Sequence, residues 1–145
     1  MAAAGTLRIR PFAPADEPAV VALWRDCGLL RPWNDPHKDI ARKRGAQPEL
    51  FLVGCIDSGI VASAMAGFDG HRGTVYYLAV TPGRQRLALG RAMMARVEEL
   101  LHERGCPKLN LMVRSDNAAT IAFYRKLGYA EDAVVVLGKR LIPDL

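Results

Sequence analysis

Apolar positions along this chain alternate, cluster or recur at helical intervals, and each pattern implies a different local structure. Leu7 to Pro11 alternates apolar and basic residues, the period of a strand. Within Pro14 to Cys27, the positions Val20, Leu23, Trp24 and Cys27 fall on one helical face. Gly28 to Pro36 shows no period and contains Pro32 and Pro36, so it reads as a loop. A short helix is expected after it, from Asp35 or Pro36 to Lys43.

Leu50 to Ile56 and Ile60 to Phe68 are apolar runs joined by Asp57-Ser58-Gly59, a hairpin signal. Asp69 to Gly73 turns the chain again into Val75 to Val80, which gives a three-strand meander that ends at Thr81-Pro82-Gly83. From Ala88 to Arg104, Leu89, Met93, Val97 and Leu100 recur on one helical face, and Met94 falls off it toward solvent. Leu109 to Val113 predicts a strand. Ser115 or Asp116 then caps a helix that reaches Leu127 and stops at Gly128. Val134 to Leu137 predicts a final strand, and Tyr129-Ala130 offers a further short one.

The order is β-α-α-β-β-β-α-β-α-β, an α/β layered (α+β) fold with six or seven strands in a mixed sheet and about four helices. No repeat or linker interrupts it, so residues 1–145 are expected to form a single domain. A chain of 145 residues can bury roughly two thirds of its unfolded surface without metal or disulfide staples. No apolar run approaches the ~20 residues needed to cross a membrane, and Met1 to Gly5 lacks the regions of a signal peptide. A cytoplasmic protein with no membrane partner is expected. Cys27, Cys55 and Cys106 are odd in number and far apart, which fits reduced thiols in the core, and His37, His71 and His102 are equally scattered. No metal site is expected.

Charge changes the picture at one place. Between Gly70 and Val97 there is no acidic residue, yet Arg72, Arg84, Arg86, Arg91 and Arg96 are present, equal to the formal net charge of +5. Most of them surround a strand-turn-helix junction, and the unpaired N–H groups and partial positive charge of a helix N-terminus suit a phosphate. Nucleic-acid binding expects basic residues spread along a groove with exposed aromatics. A nucleic-acid partner is therefore not expected.

Two motifs give the chain a family likeness: Val80-Thr81-Pro82 followed by Gln85-Arg86-Leu87-Ala88-Leu89-Gly90, and Asn117 leading to Tyr124 and Gly128-Tyr129. In this order and spacing they resemble the GNAT N-acetyltransferase superfamily over essentially the whole chain. Leu30 to Pro36 and Asp69 to Gly73 are similar to a small bacterial subfamily of the YpeA type. The resemblance implies a GNAT-like fold and transfer of an acetyl group from acetyl-CoA to a primary amine, on a small molecule or a protein N-terminus. Many such domains form a homodimer, although no apolar stripe identifies an interface here.

The resemblance also assigns residues. Leu78, Ala79 and Val80 would meet the pantetheine amides through their backbone, and Arg84, Gln85, Arg86, Leu87, Ala88, Leu89, Gly90 and Arg91 would hold the phosphates. Asn117 would contact the pantetheine arm, and Tyr124 would lie near the sulfur as general acid. Trp33, Asn34, Asp69 and His71 are acceptor-side expectations, although Trp33 equally suits a role closing the core. Two positions depart from the family pattern. Arg86 and Ala88 stand where glycines are common, so the cradle should depend on side-chain charge, and Tyr76-Tyr77 occupies the strand position of a glutamate base.

Attack by an amine on a thioester must overcome amine protonation, roughly 4 to 5 kcal/mol at pH 7 for a pKa near 10.4. The base is open between His71, Asp69, Asp35 and a water held by backbone carbonyls, with the water or His71 favoured. A non-catalytic CoA-binding or regulatory module is the alternative function, motivated by the missing glutamate.

Overall fold

The computed structural model describes residues 5–84 and 87–144. Five strands form one sheet in the order β1-β2-β3-β4-β5: β1 (Arg8–Pro11), β2 (Phe51–Ile56), β3 (Gly59–Phe68), β4 (Gly73–Val80) and β5 (Leu109–Asn110). The first four are antiparallel neighbours, and β5 joins β4 in parallel. Among the described residues four α-helices flank the sheet: α1 (Glu17–Asp26), α2 (Pro36–Arg44), α3 (Leu87–Glu103) and α4 (Ala118–Lys126).

Strand alternation sorts the apolar side chains into two cores. Phe51, Val53, Met65 and Ala79 pack with Val20, Leu23 and Trp24 of α1 and Ile40 of α2. On the opposite face Leu52, Ala62, Ala64 and Val75 pack with Met93, Met94, Val97 and Leu101 of α3 and Tyr124 of α4. Met94 is buried, not exposed, because α3 presses against both the sheet and α4 and so buries a wider face than one stripe of leucines implies. The close contact of α3 with α4 uses Gly90, where a Cβ would stand only 2.7 Å from the Phe123 ring.

The meander lies within a residue or two of its expected bounds, but β4 hides an irregularity. Ser63 faces Ala79 and Met65 faces Tyr76, so Tyr77 and Leu78 together oppose Ala64 alone. Tyr77 has φ of +54°, the left-handed region that a bulky residue rarely enters. The extra residue reverses the alternation. Val75 packs in the α3 core, whereas Tyr77 packs on the α1 side. There its ring stacks on Trp24 at 3.8 Å, its carbonyl accepts from Ser63 Oγ at 2.7 Å, and its hydroxyl donates to Asp39 Oδ2 at 2.6 Å. Trp24 Nε1 in turn donates to Ser63 Oγ at 2.9 Å.

Two expectations fail at the far edge. Among the described residues the sheet has five strands, not six or seven, and Val134 to Leu137 joins none of them. Those four side chains are exposed, and the Val134 N–H bonds the nearby Asp132 carbonyl. The cause lies in β5, which pairs with β4 only at Leu109 and Asn110 and offers no long edge for a further strand. The helix α4 starts later than expected. Asn117, not Ser115 or Asp116, is its N-cap, with Oδ1 accepting from the Thr120 N–H. The C-terminal segment instead folds back on α2, where Asp144 accepts two bonds from Arg42.

Candidate functional site

After Thr74 the parallel partners separate. β4 continues to Val80 while the chain beyond Asn110 leaves the sheet, so most of one β4 edge has no neighbouring strand to satisfy its backbone groups. A cavity of about 690 Å³ fills the resulting wedge. Val75 to Leu78 form one wall, and Leu111 to Arg114 with Asn117, Thr120 and Tyr124 form another. The loop between α1 and α2 contributes Leu29, Arg31, Trp33 and Asn34, and α2 contributes Asp39, Arg42 and Lys43.

Tyr124 reaches this wedge because α4 begins at the Asn117 cap and holds the tyrosine two turns later on its inward face. Its ring is buried edge-on between Phe123 and Tyr129. None of the hydrogen bonds among the described residues uses its hydroxyl. Burial alone pushes its pKa up to about 12, so it stays protonated across the physiological range and can donate. Tyr77, on the opposite wall, is pushed still higher by burial and by its bond to the Asp39 carboxylate.

The lining is cationic. Arg31, Arg42, Lys43 and Arg114 face one carboxylate, Asp39, which already serves Tyr77 and lies 3.3 Å from Arg42. Arg31 is held by the Gly28 and Leu30 carbonyls, and the Arg114 guanidinium lies 5.5 Å from the centre of the Trp33 ring. That contact joins the α1–α2 loop to the loop after β5. Arg140 ties Asn34 to the C-terminal segment at 3.1 Å.

Residues 17–129 match the Acetyltransferase (GNAT) family. The chain belongs to the GNAT acetyltransferase family. It is 51% identical over 138 residues to an acetyltransferase of Yersinia enterocolitica, covering 95% of this chain and 98% of that one. An acetyltransferase of Pectobacterium atrosepticum is 50% identical with the same coverage. Among solved structures, the ribosomal-protein-S18-alanine N-acetyltransferase of Escherichia coli aligns with a TM-score of 0.74 and 29% identity, over 88% of this chain and 80% of that one. The sequence is thus that of an N-acetyltransferase.

Within this GNAT domain the expected residues divide into three groups. Leu78, Asn117, Tyr124, Trp33 and Asn34 line the cavity. Ala79 and Val80 continue β4, with Ala79 buried toward α1 and Val80 toward α3. Asp69 and His71 are exposed in the β3–β4 turn and are absent from the cavity wall. Asp69 Oδ1 accepts from the His71 and Arg72 N–H groups at 2.8 Å each, which closes the turn and lowers its pKa. Asp35, a further base candidate, instead caps α2 by accepting from the His37 and Lys38 N–H groups.

Two arginines of the stretch are engaged away from the turn into α3. Arg72 bonds a carbonyl of the β3–β4 turn, and Arg96 pairs with Glu99 at 2.6 Å outside the acid-free interval. Arg84 is exposed in the turn after β4, its N–H bonded to the Thr81 carbonyl at 3.0 Å. Ala88 and Arg91 are exposed on the first turns of α3, and Leu89 and Gly90 face inward. Gln85 and Arg86 lie outside the described residues, and Leu87 is described only as the first residue of α3.

Sequence reasoning missed Asp39, Arg42, Lys43, Thr120 and Arg114 as lining residues. Only α2 carried a usable signal: Asp39 and Lys43 are four apart and so share a helical face. Among the described residues no cluster of three His, Cys, Asp or Glu could hold a metal ion, and no helix is long and apolar enough to cross a membrane.

Proposed function

We propose that this enzyme transfers an acetyl group from acetyl-CoA directly to a primary amine. The observation that carries the reading is the wedge itself, with the unneighboured edge of β4 on one side and the uncommitted Tyr124 hydroxyl on the other. An arm containing two amides can complete that β4 edge as a strand would, through the backbone around Leu78. Asn117 uses Oδ1 as a cap, and among the described residues no bond uses its amide N–H₂, which suits the same arm. The N-terminus of α3, seven residues beyond Val80, offers N–H groups for phosphates, with Arg84 in the turn before it and Arg91 on its first turns.

The bulge at Tyr77 leaves part of the β4 backbone outside the ladder with β3, and an N–H there suits a carbonyl oxygen as it gains charge. Tyr124 donates a hydrogen bond to the departing sulfur. On the acceptor side Asp39 attracts the ammonium form of the amine, and water bonded to its carboxylate carries the proton out. This reading keeps the water route and dispenses with His71, which stands outside the wall.

Calorimetric titration with acetyl-CoA at low and high salt, followed by thiol release with an amine panel, tests the reading. Binding that weakens with added salt and amine-dependent thiol release are expected. Binding without thiol release for any amine would assign the alternative, a non-catalytic CoA module. No binding would overturn both.

A further inference from the structure

The cavity has two ends. The turn from β4 into α3 marks the donor end. The opposite end lies along the start of β4 and is walled by Val75, Tyr76, Asp39, Arg42, Lys43 and Ala46. Of its two cations, Arg42 is fully engaged, bonded by both guanidinium nitrogens to Asp144 at 2.8 and 2.6 Å. Lys43 is not. Among the described residues no carboxylate lies within ion-pair distance of its ammonium, and Glu49, the acid that acts on it from farther away, pairs with Arg104 at 2.9 Å. Burial lowers the pKa of Lys43, the sign of an ammonium removed from water without a full counter-charge.

The ammonium is held against the sheet where β3 has Gly67. A Cβ at Gly67 would lie 3.6 Å from Lys43 Nζ, 3.6 Å from Gln47 Oε1 and 3.8 Å from Thr74 Oγ1. Gln47 Oε1 accepts from the Phe68 N–H and Thr74 is absent from the cavity wall, so the ammonium is the group that can donate to a carboxylate in the cavity. One helical turn away on the same face of α2 lies Asp39, which suits an ammonium.

We propose that the acceptor is a free amino acid, its carboxylate bound by Lys43 and its amine placed beside Asp39. The assignment rests on the acetyl-transfer reading and names the substrate class for that site. An α-amino acid carries both charges on one carbon, and Asp39 and Lys43, four residues apart on α2, both line this end of the cavity. A polyamine or a basic peptide would bring cations to a wall that already holds an unpaired one, at a cost in repulsion.

The test compares the L-amino acids with their amides in the thiol-release assay. Amidation removes the carboxylate and leaves a less basic amine, so intrinsic reactivity at neutral pH favours the amides. Wild type is expected to prefer at least one acid over its amide by tenfold or more in kcat/KM. In Lys43→Met that ratio should collapse toward one through a loss of about 10- to 100-fold for the acid, and Lys43→Arg should recover part of it. Amides used as well as acids, an equal loss for both in Lys43→Met, or no amino acid accepted while other amines are, would overturn the assignment. Calorimetric binding of the matching Nα-acetyl amino acids to wild type and Lys43→Met gives a readout independent of turnover. Carboxylate binding lost with Lys43 in a protein that releases no thiol would retain the site and sink the transferase reading; no such binding in a protein that does release thiol would do the reverse.

Discussion

Replacing Tyr124 with phenylalanine removes one hydroxyl and little else. The ring keeps its edge-on contacts with Phe123 and Tyr129, and no hydrogen bond among the described residues is lost. Stability should therefore change by less than about 0.5 kcal/mol, the range of substitutions that orphan nothing. The kinetic effect follows from acidity. With Tyr124 at about 12 and a thiol near 8.5, complete proton transfer to the thiolate is uphill by about 5 kcal/mol. Complete transfer would add that cost to the barrier, so Tyr124 acts as a hydrogen-bond donor rather than a full general acid. A hydrogen bond to a developing anion contributes about 1.5 to 3 kcal/mol, so turnover should fall by about 10- to 150-fold.

Thiol release at saturating acetyl-CoA measures this loss, and thermal unfolding checks that the fold is intact. The pH profile of wild type adds a second constraint. A tyrosine at about 12 contributes no inflection below about pH 11, so any basic limb in wild type must survive in Tyr124→Phe. Unchanged turnover would remove Tyr124 from the reaction. A basic limb near pH 9 that vanishes in the variant would show that the tyrosine titrates there and would refute the burial argument.

Other expectations concern the frame of the site. Ser63→Ala strips the bridge between Trp24 Nε1 and the Tyr77 carbonyl, both inside the α1 core. Each orphaned group costs about 1 to 3 kcal/mol, readable as a lower urea midpoint, and an unshifted midpoint would show that the bridge carries no stability. At the start of α1, Asp16 accepts from Arg10 at 2.7 and 2.9 Å and from the Ala13 N–H, which lowers its pKa. A depressed folded pKa contributes stability that is fully present above the unfolded value of about 3.9 and lost as pH falls through the lower folded value. The stability gap between wild type and Asp16→Asn should hold constant above pH 5 and shrink below pH 4 in unfolding curves; a gap that widens in acid would contradict the sign.

Periodicity located the helices because each turns an apolar face to the sheet, and continuous apolar runs located β2 and β3, which are buried on both faces, so local pattern and global packing agree. The family motif reached Asn117 and Tyr124 as residues of the cavity wall because both belong to one short helix, although its cap was expected at Ser115 or Asp116. What escaped depends on long-range contact. The bulge at Tyr77 breaks the alternation from within a run that reads as regular, and it is held by Trp24, Ser63 and Asp39 from three other elements. Val134 to Leu137 has the composition of a strand but meets no edge, since β5 ends its pairing at Asn110. The cations of the cavity escaped for the converse reason. Neighbours in sequence such as Arg91 and Arg96 diverge along α3, while Arg31, Lys43 and Arg114, far apart in sequence, share one cavity.

The strain at Tyr77 links these features. A bulky residue at φ of +54° costs about 1 to 3 kcal/mol, and such a conformation persists only when its surroundings over-determine it. Here the surroundings do, through a ring stack, a bonded carbonyl and a bonded hydroxyl. The hydroxyl bond also fixes Asp39, and Asp39 lies on the same α2 face as Lys43. The bulge therefore sets two things together: it takes part of the β4 backbone out of the ladder where the donor's carbonyl would lie, and it turns a tyrosine toward α2 to position the acceptor-side carboxylate. Regular pairing would return the Tyr77 side chain to the α3 face, alongside Val75, and would leave Asp39 without its phenol. The same displacement thus orders both halves of the wedge, which accounts for why a costly backbone conformation sits where a donor and an acceptor would meet.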